Sequence, residues 1–136
     1  MVRTIVRDMM FLSQKSSLAC AGDEAVLDDL LDTLRANQDR CVGLAANMIG
    51  VRKCIIAFMN GPFCMGMMNP EIVSCSEPYE TEEGCLSLDG IRKTIRYQKI
   101  VVSYQDRSFR PQKAIYNGWT AQIIQHEIDH CNGILI

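Results

Sequence analysis

Histidine and net charge are the two scarcities that say most about this chain. Only two of its 136 residues are histidine, His126 and His130. A metal site built wholly from imidazoles is therefore excluded, because such sites use three or more. The net charge is −2 and the pI about 5.6, so global charge gives no reason to invoke nucleic acid. No apolar run is long enough to span a bilayer. The opening segment Met1–Asp8 has no uninterrupted apolar stretch of the kind a signal peptide needs. Cysteine is present but unpaired: seven residues, an odd number, without paired spacing. That argues against a disulfide framework and predicts a cytoplasmic chain with reduced thiols. There is no internal repeat, low-complexity segment or Pro/Ser-rich linker. The length predicts a single domain, residues 1–136, with a sizeable core.

What is present is concentrated in three stretches. The first to notice is Gln125-His126-Glu127-Ile128-Asp129-His130. On a helix, residues four apart share a face, so His126 and His130 can hold one metal ion between them. Glu127 is turned about 100° away, beside the metal rather than on it, which suits a base acting on an activated water. Asn117 is placed to start this helix and Gly133 to stop it. Trp119, Ile123, Ile124, Ile128 and Cys131 spread apolar groups around the cylinder, which predicts a buried helix. The plain alternative is a core helix with two satisfied histidines. A catalytic metal needs a third protein ligand, which must here be Cys, Asp or Glu. Cys85 in Glu82-Glu83-Gly84-Cys85-Leu86-Ser87-Leu88 is the best candidate. The glycine before it permits close approach of another chain. The third stretch is Val42–Gly50, small residues between glycines, alone readable as a tight turn beside the core. Cys85, His126, His130 and Glu127 together point to metal-assisted amide hydrolysis.

The rest of the chain predicts α+β architecture: largely antiparallel sheets around a buried C-terminal metal-binding helix, with one N-terminal amphipathic helix. A short helical turn is expected around Met9–Leu12. Asp23 is placed to cap a helix from Glu24 to about Gln38, with Leu27, Leu30, Leu31 and Leu34 on its apolar face. Asp28, Asp29 and Asp32 read as its solvated side, near the positive end of the helix dipole. Cys54–Met59, Phe63–Met68, Ile72-Val73, Ile91–Tyr97, Ile100–Tyr104 and Lys113–Tyr116 read as strands. Asn60-Gly61-Pro62, Asn69-Pro70 and Gln105–Ser108 punctuate them. The methionines at 59, 65, 67 and 68 read as core filler. Of the basic cluster Arg92, Lys93, Arg96 and Lys99, most reads as a solvated strand face, with a ribosomal or acidic contact as the alternative, and Arg96 is the exception.

In these three stretches the chain resembles the peptide deformylase family. Gly43-Leu44-Ala45-Ala46 matches the start of the family's first motif, Glu83-Gly84-Cys85-Leu86-Ser87 the second, and Gln125-His126-Glu127 through Asp129-His130, with Gly133, the third. The first motif departs from the family: Asn47-Met48 stands for the usual Pro-Gln, and Cys41 for a common glycine. The resemblance implies removal of the formyl group from formylmethionyl nascent peptides, releasing formate. It implies Cys85, His126 and His130 as ligands of ferrous iron, with Zn²⁺, Ni²⁺ or Co²⁺ as alternatives. It also implies Glu127 in proton transfer and the Leu86 backbone N–H at the oxyanion. The family's glutamine amide would stand at Met48, where a thioether cannot donate; Asn47 is the candidate substitute. The substrate would run beside Val42, Gly43 and Leu44, with Met48 and Gly84 also bordering it. Asp129 and Gln125 are expected to support the site or pack the helix, and Arg96 stands near a family arginine. The alternatives are an impaired relative that binds metal and peptide N-termini without efficient turnover, and a metallopeptidase.

Overall fold

A computed structural model describes residues 1–85 and 87–135. Among them are three α-helices: α1 (Met9–Leu12), α2 (Glu24–Ala36) and α3 (Gly118–Cys131). Five strands, β1 (Gly43–Ala45), β2 (Ile55–Asn60), β3 (Phe63–Cys85), β4 (Leu88–Gln105) and β5 (Pro111–Asn117), form one antiparallel sheet in chain order. The α+β expectation is met, and α3 lies across β1, β2 and β4.

The helices follow from their sequences. Asp8 accepts from the Met10 and Phe11 N–H groups and starts α1. Leu27, Leu30 and Leu34 bury one face of α2 against the sheet. Asp28 and Asp29 on its other side bind Arg107 and Arg3. Asp23 sits at the start of α2 but does not cap it through its side chain. Its carboxylate turns back to the Cys20 N–H at 2.8 Å.

The strands are longer and fewer than their hydrophobic runs suggest. Asn69-Pro70 does not end a strand: β3 continues through it with a register shift between Met68 and Glu71. Asn69 has a φ of 52°, and its side chain bonds both the N–H and the carbonyl of Ala19 and also Gln105. Such a bulge tolerates a residue without an N–H. Ile91–Tyr97 and Ile100–Tyr104 likewise merge into β4. β1, which alternation alone does not announce, pairs Gly43–Ala45 with Ile56–Phe58. Phe58, Met67, Met68, Ile100 and Ile124 are fully buried in the core between the sheet and its helices. Met67 and Met68 thus act as core filler.

The end of α3 is fixed by Gly133. Its φ is +74°, and a Cβ there would stand 2.5 Å from the Ser13 carbonyl oxygen. Gly61 has a φ of +61° with open space around it. Gly133→Ala is expected to cost about 2–4 kcal/mol in urea unfolding, adding backbone overlap to left-handed strain. Gly61→Ala is expected to cost only about 1–2 kcal/mol, from the strain alone. Equal losses in the two variants would contradict the packing role of Gly133.

Candidate metal and catalytic site

The site forms where α3 crosses the β1 edge and the end of β3. His126 and His130, one turn apart on α3, aim their Nε2 atoms at each other at 3.2 Å. Cys85, the last residue of β3, brings its Sγ to 3.2 Å from His130 Nε2. The three ligand atoms all lie within 4.8 Å of one another. Metal–nitrogen bonds near 2.0–2.1 Å and metal–sulfur bonds near 2.3 Å, set tetrahedrally, place donors about 3.3–3.6 Å apart. One thiolate and two imidazoles therefore fit a single divalent cation.

Behind the ligands lies a buried ionic cluster. His126 Nδ1 is 2.8 Å from Glu83 Oε1, which fixes the ring with Nε2 forward. Glu83 also accepts from Arg96 Nε and NH2 and from Gln122 Nε2. Arg96, 4% exposed, reaches Asp129 as well, at 2.6 Å. Burial alone would raise the Glu83 carboxyl, but hydrogen bonds from His126, Arg96 and Gln122 hold it down at about 2. Burial also opposes charge on His126, yet its hydrogen bonds to Cys85 and Glu83 carry it up to about 10. Burial and the neighbouring His126 charge take His130 down to about 3. Gln125 clamps α3 to β4, accepting from the Tyr97 N–H and donating to the Tyr97 carbonyl.

Glu127 is the acidic group on α3 that the ionic cluster leaves out. Its Oε1 is buried without a hydrogen-bond partner. Burial lifts its carboxyl to about 7, against the opposing pull of His126. The glycine at 43 is what admits it: a Cβ there would meet Glu127 Oε2 at 2.7 Å and Ile123 Cγ2 at 2.8 Å. A buried carboxylate of near-neutral pKa beside three convergent ligands is placed for proton transfer.

A cleft of about 540 Å³ opens onto these groups, bordered by Val42, Gly43, Gly84, Cys85, Trp119 and His126 among others. Leu44 and Met48 are 0% and 1% exposed and lie behind it in the core. The Met48 thioether accepts from the Ala45 N–H at 3.4 Å. Asn47 directs its amide N–H at the His130 carbonyl, 2.9 Å away, so it braces α3 rather than facing the cleft. Gly84 has no left-handed φ, and a Cβ on it would be in ordinary contact with Gly90. Its place at a register shift before Cys85 therefore sets the open wall of the cleft, not a close approach. Trp119 is not a core residue: it is 61% exposed on the cleft rim. Leu86 lies outside the described residues. Glu83 was missed as the histidine's partner, although its spacing of two from Cys85 on a strand was a usable signal.

Glu83→Gln is expected to leave the fold intact and weaken metal binding by about 10–100-fold in chelator competition. An unchanged affinity would remove Glu83 from the support of His126.

Known proteins share this sequence pattern and this fold. The polypeptide deformylase family model matches residues 5–136. A peptide deformylase of Clostridium beijerinckii is 57% identical over 136 residues, covering 100% of both chains. Peptide deformylase 2 of Prochlorococcus marinus is 39% identical, covering 83% of this chain and 60% of that one. Among solved structures, the Met-Ala-Ser-bound class I type b peptide deformylase of Acinetobacter baumannii superposes with a TM-score of 0.88 at 26% identity, covering 99% and 97%. The Legionella pneumophila peptide deformylase gives 0.87 at 34% identity, covering 99% and 83%. With the family match spanning nearly the whole sequence and the ligand geometry in place, this chain belongs to the polypeptide deformylase family.

Proposed function

We propose that this chain hydrolyses the N-terminal formyl group of formylmethionyl peptides, working on nascent chains in the cytoplasm. Water adds to the formyl carbonyl, the C–N bond breaks, and formate and a free amine leave. The observation that carries this reading is the Glu127 carboxylate, its Oε1 unpartnered, which Gly43 leaves room for in the cleft onto which Cys85 and His126 open. A divalent cation on those three residues would supply Lewis-acid polarisation and acidify a water. Ferrous iron is the metal proposed in the cell, with Zn²⁺, Ni²⁺ and Co²⁺ also accommodated by thiolate and imidazole.

The chain's own groups divide the remaining work. Glu127 takes a proton from the attacking water and returns it to the leaving amine, a task that a pKa of about 7 suits. Glu83 and Arg96 keep His126 in one tautomer and orientation. The Val42 carbonyl is taken by the Met59 N–H, whereas the Gly43 carbonyl faces the other way and accepts from the Cys41 thiol at 2.9 Å. An extended peptide therefore meets the outward backbone groups of Gly43, with Val42 and Gly84 alongside. The Acinetobacter relative holds a Met-Ala-Ser peptide, which supports an extended substrate of that kind here. Exposed Lys93 and Lys99 are the surface cations proposed for a ribosomal contact.

Two experiments test the assignment. Glu127→Gln and Gly43→Ala are both expected to keep stoichiometric metal while formate release falls at least about 10²-fold. Undiminished turnover in metal-replete Glu127→Gln would remove Glu127 from the mechanism. Met48→Gln is nearly isosteric and adds an amide in place of the thioether. It is expected to raise kcat on formyl-Met peptides with less change in KM, since oxyanion donors act on developing charge. An unchanged or lower kcat would show that this chain's oxyanion site does not use position 48.

A further inference from the structure

We propose that Arg40 gives this enzyme a preference for an acidic side chain about three residues downstream of the formylmethionine. The proposal rests on the deformylation reading and names a feature of the substrate.

The open part of the cleft sets the direction of the peptide. On the β1 side, residues 40–43 line it, while Leu44 and Ala45 are 0% and 1% exposed. A formyl group at Glu127 and Gly43 therefore leaves the peptide only one way to run along this edge, past Val42 and Cys41 to Arg40. Three extended residues cover about 10 Å. The third residue after methionine thus passes the Arg40 guanidinium.

That guanidinium is pre-set and uncompensated. Its Nε and NH2 both donate to the Asn37 side-chain oxygen, at 3.2 and 2.8 Å. Asn37 is itself fixed, 8% exposed, with its amide donating to the Thr33 carbonyl at 2.7 Å. The partner is neutral, and among the described residues no carboxylate forms an ion pair with Arg40. NH1 and one hydrogen of NH2 remain for a ligand. The other cation at the cleft mouth, Arg7, is already joined to Asp89 at 2.5 Å. Glu82, from β3, and Asp89, from β4, also line the cleft. An arginine held in one orientation loses less freedom on binding a carboxylate than a free one.

The plain alternative is that Arg40 only ties off the turn after α2. The two are separated with formyl-Met-Ala-Ala-Glu-amide and its Gln and Lys counterparts, amidated to remove the terminal carboxylate. On the wild-type protein, kcat/KM for the Glu peptide is expected to exceed that for the Gln peptide by about two- to five-fold, mostly through KM. The Lys peptide is expected to fall below both, and the ratios to collapse at about 0.5 M salt. Arg40→Gln is expected to bring the Glu/Gln ratio to one, and Arg40→Lys to restore part of it. The ratio is internal to each variant, so a general loss of activity does not disturb it. A wild-type ratio of one, or a ratio that survives in Arg40→Gln, overturns the proposal. If no formylated peptide is turned over, the deformylation reading fails. The Kd values of unformylated Met-Ala-Ala-Glu-amide and its Gln counterpart then decide: an Arg40-dependent preference sustains the subsite, and equal values reject it.

Discussion

The Glu83 carboxylate is the point on which three elements of the site depend. It lies on β3, takes Arg96 from β4, and takes His126 and Gln122 from α3. A buried ionic cluster of this kind is costly to desolvate and is justified only when nearly every lone pair is used. Here that condition is met: Arg96 reaches both Glu83 and Asp129, and the Tyr79 hydroxyl continues the chain to Gln122. The cluster turns His126 so that one nitrogen is held and the other faces the ligands. Without it, the His126 ring would lose the partner that holds its Nδ1.

Against this fixed frame stands a group left unsatisfied. Glu127 neighbours His126 in sequence but faces the β1 edge, where its Oε1 has no partner and its pKa rises to about 7. Two adjacent residues thus have opposite settings: His126 is hydrogen-bonded to Glu83, while Glu127 is buried with its Oε1 unpartnered. The separation of pKa values by environment divides holding from proton transfer. The glycine at 43 makes the arrangement sterically possible, so the β1 strand serves both as the peptide's edge and as the wall against Glu127.

The metal ligands were legible because helical spacing and residue chemistry agree on His126 and His130, and a thiolate at Cys85 completes a tetrahedral set. The α2 face and the methionine core were legible for a similar reason, since periodic burial is local. What was hidden depends on contacts between distant segments. Asn69-Pro70 reads as a turn locally, yet the Asn69 side chain is held by Ala19 and the strand continues. Trp119 reads as apolar and buried, but the fold leaves it exposed on the cleft rim. Asn47 offers an amide in the right stretch, and only the fold shows it turned to the His130 carbonyl. Arg40 is unremarkable in sequence because its meaning comes from Asn37 and from where β1 stops being buried.

The central claim is that Cys85, His126 and His130 hold one cation while Glu127 stays off it. X-ray absorption on the metal-loaded protein tests this directly. The account predicts one sulfur at about 2.3 Å and two imidazole nitrogens at about 2.0–2.1 Å if zinc is the probe, with the pattern unchanged in Glu127→Gln. A shell without sulfur, or one that loses an oxygen in Glu127→Gln, would contradict it.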